Sequence, residues 1–570
     1  FSWVTGRHQM TFGFSGAYWT SDTEDNARAA GDFNFNGQTT GLALADFMMG
    51  YASLVNHGAP GVLNMHQKYI AAYGQDAWKL GNRVTLNAGV RWEPFFGQNI
   101  ENGAVLNFSL DNFRKGVRTN RFTTAPFGLI YPGDPGFPKG NTGIKTQWRN
   151  FSPRLGLAWD PSGDGKMAVR TSYGLNYDFP SAQYLYIAAS SAPFGNRVAL
   201  NGVLFEDPYR DVPGGDTHPL PRNPPTNAQF PGFGSYGVMD PSINSPRVQQ
   251  WNATFERQFG TAWQASISYI GSYADRLWGQ VHLNPGNFLG TGPCTIAGVS
   301  YPSCSVAGNV DRRRTLFQEN PVNGQWFGYI VKYSDVGTQR YRGMKLSFRR
   351  RAGDGVSLQG NYTLSHCEAD TDVTGGFGQF NTGYQKPNDP SFDKGNCAQN
   401  RRQIANLSVG AATPRFSNTA LRVLASDWRL SGIVNARSGA WLTVTTANDI
   451  AGTGIVNQRV NQLSDNVYGE KSLNSYLNPA AFALPAAGTL GNHQINSIEG
   501  PGFWTVDLAV SRLVSLASTK QLELRVEIFN LFNNFNWGLP VTNFNAGTFG
   551  KITTAGGDPR IMQFGLKYGF

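Results

Sequence analysis

The chain has 570 residues, of which 15% are charged and 13% aromatic, with 68 Gly, 31 Pro and a formal net charge of +10. Gly and Pro together stay below the level of a disordered chain, and the aromatic content calls for a folded one. No apolar run reaches the roughly 18 residues of a membrane-crossing helix, whereas the negative mean hydropathy does not argue against a membrane barrel, whose lumenal residues and long loops dilute its apolar belt.

The first residues, FSWVTGRHQMTF, carry no basic region, apolar stretch or small-residue cleavage site, so an exported protein is expected here as a mature form or a fragment. From there alternation with period two recurs to the far end, and helical period is hard to find. Val84, Leu86, Ala88, Val90 and Trp92 alternate with Thr85, Asn87, Gly89, Arg91 and Glu93. Met167, Val169, Thr171, Tyr173, Leu175 and Tyr177 alternate with Ala168, Arg170, Ser172, Gly174, Asn176 and Asp178. Trp251, Ala253 and Phe255 follow the same rule, as do Val356, Leu358, Gly360, Tyr362 and Leu364. Leu522, Leu524, Val526 and Ile528 oppose Gln521, Glu523, Arg525 and Glu527. The last strand places Met562, Phe564, Leu566, Tyr568 and Phe570 on one face and Ile561, Gln563, Gly565, Lys567 and Gly569 on the other. Successive strand side chains point to opposite faces, so each segment has an apolar side and a polar or small one.

The connections alternate in length. Short polar turns fall at 80–83, 161–166, 259–262, 351–355 and 517–520, and long Gly/Pro/Asn-rich stretches at 20–66, 96–150, 180–247, 274–340, 370–401, 445–502 and 535–558. Strands are expected at 9–19, 67–80, 83–95, 151–161, 167–179, 248–259, 262–273, 341–350, 355–369, 402–413, 428–444, 503–516 and 520–534, and at the end. That gives about fourteen, with the stretch 414–444 the least defined. Tight turns on one side and long loops on the other predict an all-β chain, a transmembrane antiparallel β-barrel with periplasmic turns and extracellular loops. A compact soluble domain does not carry irregular loops of this length.

Candidate chemistry is thin. Arg91, Glu93, Arg170, Asp507, Glu523, Arg525, Glu527 and Lys567 share the polar faces and are expected to line the lumen, where they would hold a plug by hydrogen bonds and ion pairs. Cys294 and Cys304 are close in GPCTIAGVSYPSC, while Cys367 and Cys397 bracket a long loop; two local disulfides are expected, although four cysteines allow three pairings. No metal site and no cofactor is expected. The His residues are dispersed, and Asp370, Asp372, Thr374 and Gly375 open like a calcium loop whose twelfth position is Asn381 rather than Glu. The sequence GDGK at 163–166 lacks the spacing of a phosphate loop and reads as a turn. The basic runs 312–314 and 349–351 invite a nucleic-acid reading, but no zinc-finger spacing, RNA-binding motif or basic helix supports one, and no nucleic-acid partner is expected. Aromatic and amide residues in 235–246 and 323–335 are expected to offer a ligand surface to an unidentified extracellular ligand.

The run YGQDAWKLGNRVTLNAGVRWEPF (73–95) resembles a hairpin of TonB-dependent outer-membrane receptors of the Oar-like branch, as does FSPRLGLAWDPSGDG (151–165). EIFNLFNNFNWG (527–538) is similar to the Asn-rich penultimate-strand motif of these receptors, and Phe570 to their closing residue. The resemblance implies energy-coupled uptake through a plugged barrel in the outer membrane of a Gram-negative bacterium. It implies lipid, the TonB-ExbB-ExbD complex and the barrel-assembly machinery as partners, with Phe564, Tyr568 and Phe570 as the assembly signal, and no enzymatic activity. It also implies a plug, a coupling segment and about twenty-two strands. Here the first residues already read as a barrel strand, so residues 1–570 are expected to be the C-terminal portion of such a barrel, a complete smaller barrel being the alternative. A passive pore, a structural or adhesive barrel, and a soluble all-β binding protein are the competing functions.

Overall fold

The computed structural model describes residues 1–26, 28–58, 61–218, 223–351, 355–370, 380–516 and 520–570. Its wall is one antiparallel sheet whose strands follow in chain order. They are β1 (Ser2–Thr5), β2 (His8–Asp25), β3 (Gly61–Lys79), β4 (Val84–Trp92), β5 (Phe151–Trp159), β6 (Met167–Tyr177), β7 (Arg247–Phe259) and β8 (Trp263–His282). Then come β9 (Phe327–Arg350), β10 (Val356–Ala369), β11 (Gln403–Ala412), β12 (Trp428–Arg437), β13 (Phe503–Ser515), β14 (Gln521–Phe529) and β15 (Ile561–Gly569). Each pairs with its predecessor and successor. Among the described residues, β1 pairs with β2 alone and β15 with β14 alone, so each presents an edge.

The register explains why alternation survives across the whole sheet. Directly opposed residues share a face. Phe14 lies opposite Ala72, Trp78 opposite Leu86, Leu86 opposite Leu157 and Val169 opposite Phe255. The series continues through Phe255 with Ile267, Ile267 with Leu346, Leu430 with Val510 and Val526 with Phe564. The apolar faces therefore merge into one band, and its side chains are open to the surroundings: Phe14 is 72% exposed, Phe564 74% and Leu566 71%. Such an extended exposed apolar surface needs a lipid environment.

The strands outgrow the sequence reading on one side. β2 continues to Asp25 rather than 19, β3 begins at Gly61 rather than 67, β8 runs on to His282 and β9 begins at Phe327 rather than 341, while β12 stops at Arg437, short of 444. A membrane strand needs about 9–11 residues, so the outer halves of β8 and β9 stand clear of the span and pack on loops, with Trp278, Tyr329 and Tyr333 buried. Ser2–Thr5 adds a short strand turned into β2 through Gly6, whose φ of +55° favours glycine. The undefined stretch before β12 contains a helix, Thr419–Ala425, started by the Asn418 side chain, which accepts from the amides of Ala420 and Leu421. The turns at 352–354 and 517–519 lie outside the described residues.

Among the described residues the long connections fold into a crown with two main cores and two minor apolar clusters, one around Val55 and Val198 and one around Phe233 and Phe317. Those after β4, β6 and β8 gather Phe95, Ile100, Phe113, Phe122, Tyr131, Phe194, Tyr236 and Leu316 into the larger one, with Phe327 from the start of β9. Those after β12 and β14 gather Leu442, Val460, Tyr476, Phe482 and Phe549 into the smaller. Strand Tyr51–His57 pairs with Val198–Leu204, and Gly234–Met239 runs parallel to the outer half of β9, which ties the crown to the wall.

Candidate functional site

The face opposite the apolar band is the first candidate. Arg91 Nε donates to Glu93 Oε2 at 2.6 Å, and Tyr69 Oη donates to the same oxygen at 3.0 Å. Arg170 pairs with Glu256 at 3.1 Å, and Arg525 with Glu527 at 2.6 Å. Asp507 accepts from the Asn530 amide at 2.9 Å, which fixes the exit of β14 into the Asn-rich segment. Glu523 lies opposite Lys567 in register. By register Arg91, Arg170, Asp507, Glu523, Arg525, Glu527 and Lys567 fall on the face opposite the apolar band, with Glu93 just beyond β4, and they form local groups rather than one cluster. A groove of about 660 Å³ on this wall is lined by Tyr73, Gln75, Asn87, Arg91, Ser152 and Arg154.

The crown also encloses charges of the basic run at 312–314. Arg314 is 0% exposed; its Nε donates to Asp311 Oδ1 at 2.6 Å, its Nη1 to the Asn284 carbonyl at 3.0 Å, and its guanidinium lies 3.8 Å over the Tyr329 ring. Arg313 is equally enclosed and donates to Asn309 Oδ1, to the Asn287 carbonyl and, at 2.8 Å, to the Gly452 carbonyl. Tyr329 Oη donates to the Gly454 carbonyl at 2.8 Å, and the Gly286 amide to the Thr453 carbonyl at 2.8 Å. The basic run at 312–314 therefore joins the connection after β8 to the one after β12. A signal was present: Asp311 stands directly before three arginines, at the spacing of a local ion pair.

The aromatic loops need a correction. Tyr236, Phe327, Tyr329 and Tyr333 are at most 2% exposed, so these aromatics of 235–246 and 323–335 belong to the core and are not surface rings. Their aromatics meet one another across loops, as Tyr236 does Phe327 and Tyr184 does Tyr333, and apolar area buried between loops replaces contact with a ligand. Cys294 is bonded to Cys304 and Cys367 to Cys397. Asp370 is engaged by Thr338, whose amide and hydroxyl both donate to its carboxylate; Asp372, Thr374 and Gly375 lie outside the described residues. At 160–166 the Asp160 carboxylate accepts from the amides of Gly163 and Gly165, which makes this segment a turn. One grouping escaped the sequence: His57, Asp216 and His218 lie together in the crown.

A cleft of about 430 Å³ at the outer end of β10 is lined by Glu368, Phe392, Lys394, Arg459 and His493. Arg459 pairs with Asp393 at 3.0 Å, both nearly enclosed, and stacks 4.1 Å over Phe392. Burial, helped by the Arg459 charge, pushes the His493 imidazole down to about 4 from 6.5. The folded lobe thus holds this ring neutral, while the opened chain takes up a proton below 6.5. Stability is full above that value and falls as pH drops through the window from 6.5 to about 4. Amide exchange in 458–494 is expected to rise across this window in the wild type and less steeply in His493→Gln; parallel curves would show that another group sets the dependence.

A family model described as an outer membrane beta barrel domain matches residues 1–563. No curated protein matches the chain. Among solved structures, similarity extends to the outer membrane transporter YddB from Escherichia coli, at 9% identity and a TM-score of 0.46, covering 100% of this chain and 52% of that one. It extends also to the siderophore receptor PiuA from Acinetobacter baumannii, at 10% identity, a TM-score of 0.45 and coverage of 100% and 54%. The FrpB iron transporter from Neisseria meningitidis (F3-3 variant) matches at 11% identity, a TM-score of 0.43 and coverage of 100% and 53%. The chain spans about half the length of these proteins.

Proposed function

We propose that this chain, which belongs to the outer membrane beta barrel domain family, is the wall and crown of an energy-coupled uptake receptor of the TonB-dependent type. It resides in the outer membrane of a Gram-negative bacterium. What supports the receptor reading is the division of the wall: a predominantly apolar band for lipid on one face, and on the other the pairs Arg91–Glu93, Arg170–Glu256 and Arg525–Glu527, presented to whatever fills the lumen. Charges set in pairs along a wall suit a plug that must be held and then released, since each pair can exchange partners without leaving a bare charge.

On this reading residues 1–570 are barrel and crown. The plug and the segment that meets TonB-ExbB-ExbD are supplied by the rest of the protein, the crown faces outwards, and the role is transport rather than catalysis. Phe564 and Tyr568 lie on the exposed edge strand and Phe570 directly follows it, with the rings of Tyr568 and Phe570 stacked at 6.2 Å, and we assign them to recognition by the barrel-assembly machinery.

The test is conductance of the complete gene product in a planar bilayer. A plugged receptor is expected to stay silent and to conduct only when mild denaturant loosens its plug. Steady current from the untreated, heat-modifiable protein would replace the receptor by a passive pore.

A further inference from the structure

Strand Tyr51–His57 ends on His57, and its pairing with Val198–Leu204 brings that ring beside the segment that carries Asp216 and His218. One donor atom from each of the three side chains lies within 4.8 Å of the other two. The imidazoles of His57 and His218 are 4.1 Å apart between centroids. Each ring also has an oxygen behind it: His57 Nδ1 lies 2.8 Å from Tyr209 Oη, and His218 Nε2 lies 3.1 Å from the Asn196 carbonyl. His218 Nδ1 then faces Asp216 Oδ1 at 2.8 Å, the position where a metal replaces a shared proton. The His218 side chain is 7% exposed and that of Asp216 44%, a closed floor with an accessible entrance.

We infer that His57, Asp216 and His218 form a site for one divalent transition-metal ion of the zinc class. Imidazole with a single carboxylate suits such borderline cations, whereas calcium and magnesium call for more oxygen donors. Tyr209 and Asn196 stand as the outer partners that fix ring orientation in metal-binding histidines. His218 offers Nδ1 and His57 one ring nitrogen, its ring being held by the Ala29 carbonyl as well as by Tyr209. Three protein donors leave a further position for water or for a donor group of an arriving molecule. The set belongs to no local motif beyond Asp-x-His, since one ligand comes from the connection after β2 and two from that after β6.

Cobalt and zinc are the probes. The full-length protein in detergent, stripped with a chelator, is expected to take up one equivalent of Co²⁺ with a visible ligand-field band that Zn²⁺ abolishes. His57→Ala and His218→Ala are expected to weaken binding by about a hundredfold, and Tyr209→Phe, which removes only an outer partner, by about tenfold. His493→Gln, which lies outside the set, leaves binding unchanged. Asp216→Asn preserves an acceptor for His218 while removing the charge, and it binds more weakly with the crown's exchange pattern intact, which separates loss of a ligand from loss of fold. Absence of saturable binding by the folded wild type, or wild-type binding by His57→Ala and His218→Ala, overturns the site.

Discussion

Replacing Arg314 with alanine is expected to destabilise the crown by about 3–5 kcal/mol while the wall still assembles. The guanidinium is wholly enclosed, and its partners are Asp311, the Asn284 carbonyl and the Tyr329 ring. Truncation leaves the Asp311 carboxylate, 13% exposed, without its cation and opens a void beneath Tyr329. Tyr329 is also the donor to Gly454, so the defect reaches the contact between the connections after β8 and β12. Arg314→Lys is expected to fall between, since a single ammonium cannot reproduce the fork that serves carboxylate and carbonyl together. Removing both charges, as Arg314→Met with Asp311→Asn, is expected to recover part of the loss, because an absent pair costs less than a broken one. Amide exchange over 283–326 and 449–454 reads the crown, and heat modifiability reads the wall. Unchanged protection in Arg314→Ala would mean that the loops are held by their apolar cores alone.

How much of this was legible in the sequence depends on what covers each residue. Where lipid covers one face of a strand and polar groups the other, period two follows, and Val84–Trp92, Met167–Tyr177 and Gln521–Phe529 form strands that start within one residue of the expected bounds and end two to five residues short of them. The outer part of β3 breaks that rule. Leu63 and Met65 lie opposite Thr23 and Ser21, with the parity of the polar face, yet both are buried in the crown core. Apolar residues of that parity erase the alternation, so the segment reads as loop although its backbone continues as strand. The crown was opaque for the same reason: Phe122 comes from the connection after β4, Phe194 and Phe230 from the one after β6, and nothing within either announces the other. The meeting of His57 with Asp216 and His218 rests on the pairing of two short loop strands, information that only the fold carries. The turn at 160–166 was legible because Asp160, Gly163 and Gly165 solve it locally.

Arginine at Val510 is expected to cost the folded wall about 2–4 kcal/mol, and arginine at its neighbour Ala509 far less. Both residues lie at the middle of β13, an interior strand, so neither change touches an edge. Val510 is opposed by Leu430 and Val526 and belongs to the apolar band. Ala509 is opposed by Ser431 and Glu527, and a new guanidinium there meets a carboxylate. Sensitivity on one face alone would also arise in a water-soluble sheet with a packed core, so depth supplies the decisive comparison. On the same face, Trp504 and Val514 lie towards the two ends of the strand, and arginine there is expected to cost only about 0–1 kcal/mol, because the side chain reaches the wet interface. A protein core has no such symmetrical gradient along a strand, since its cost follows local packing instead. The measurement is reversible unfolding from lipid vesicles for Val510→Arg, Ala509→Arg, Trp504→Arg and Val514→Arg. A cost that peaks at Val510 and declines to both ends places the band in a bilayer; equal costs at Val510 and Ala509, or a profile without a central maximum, would remove lipid from that face.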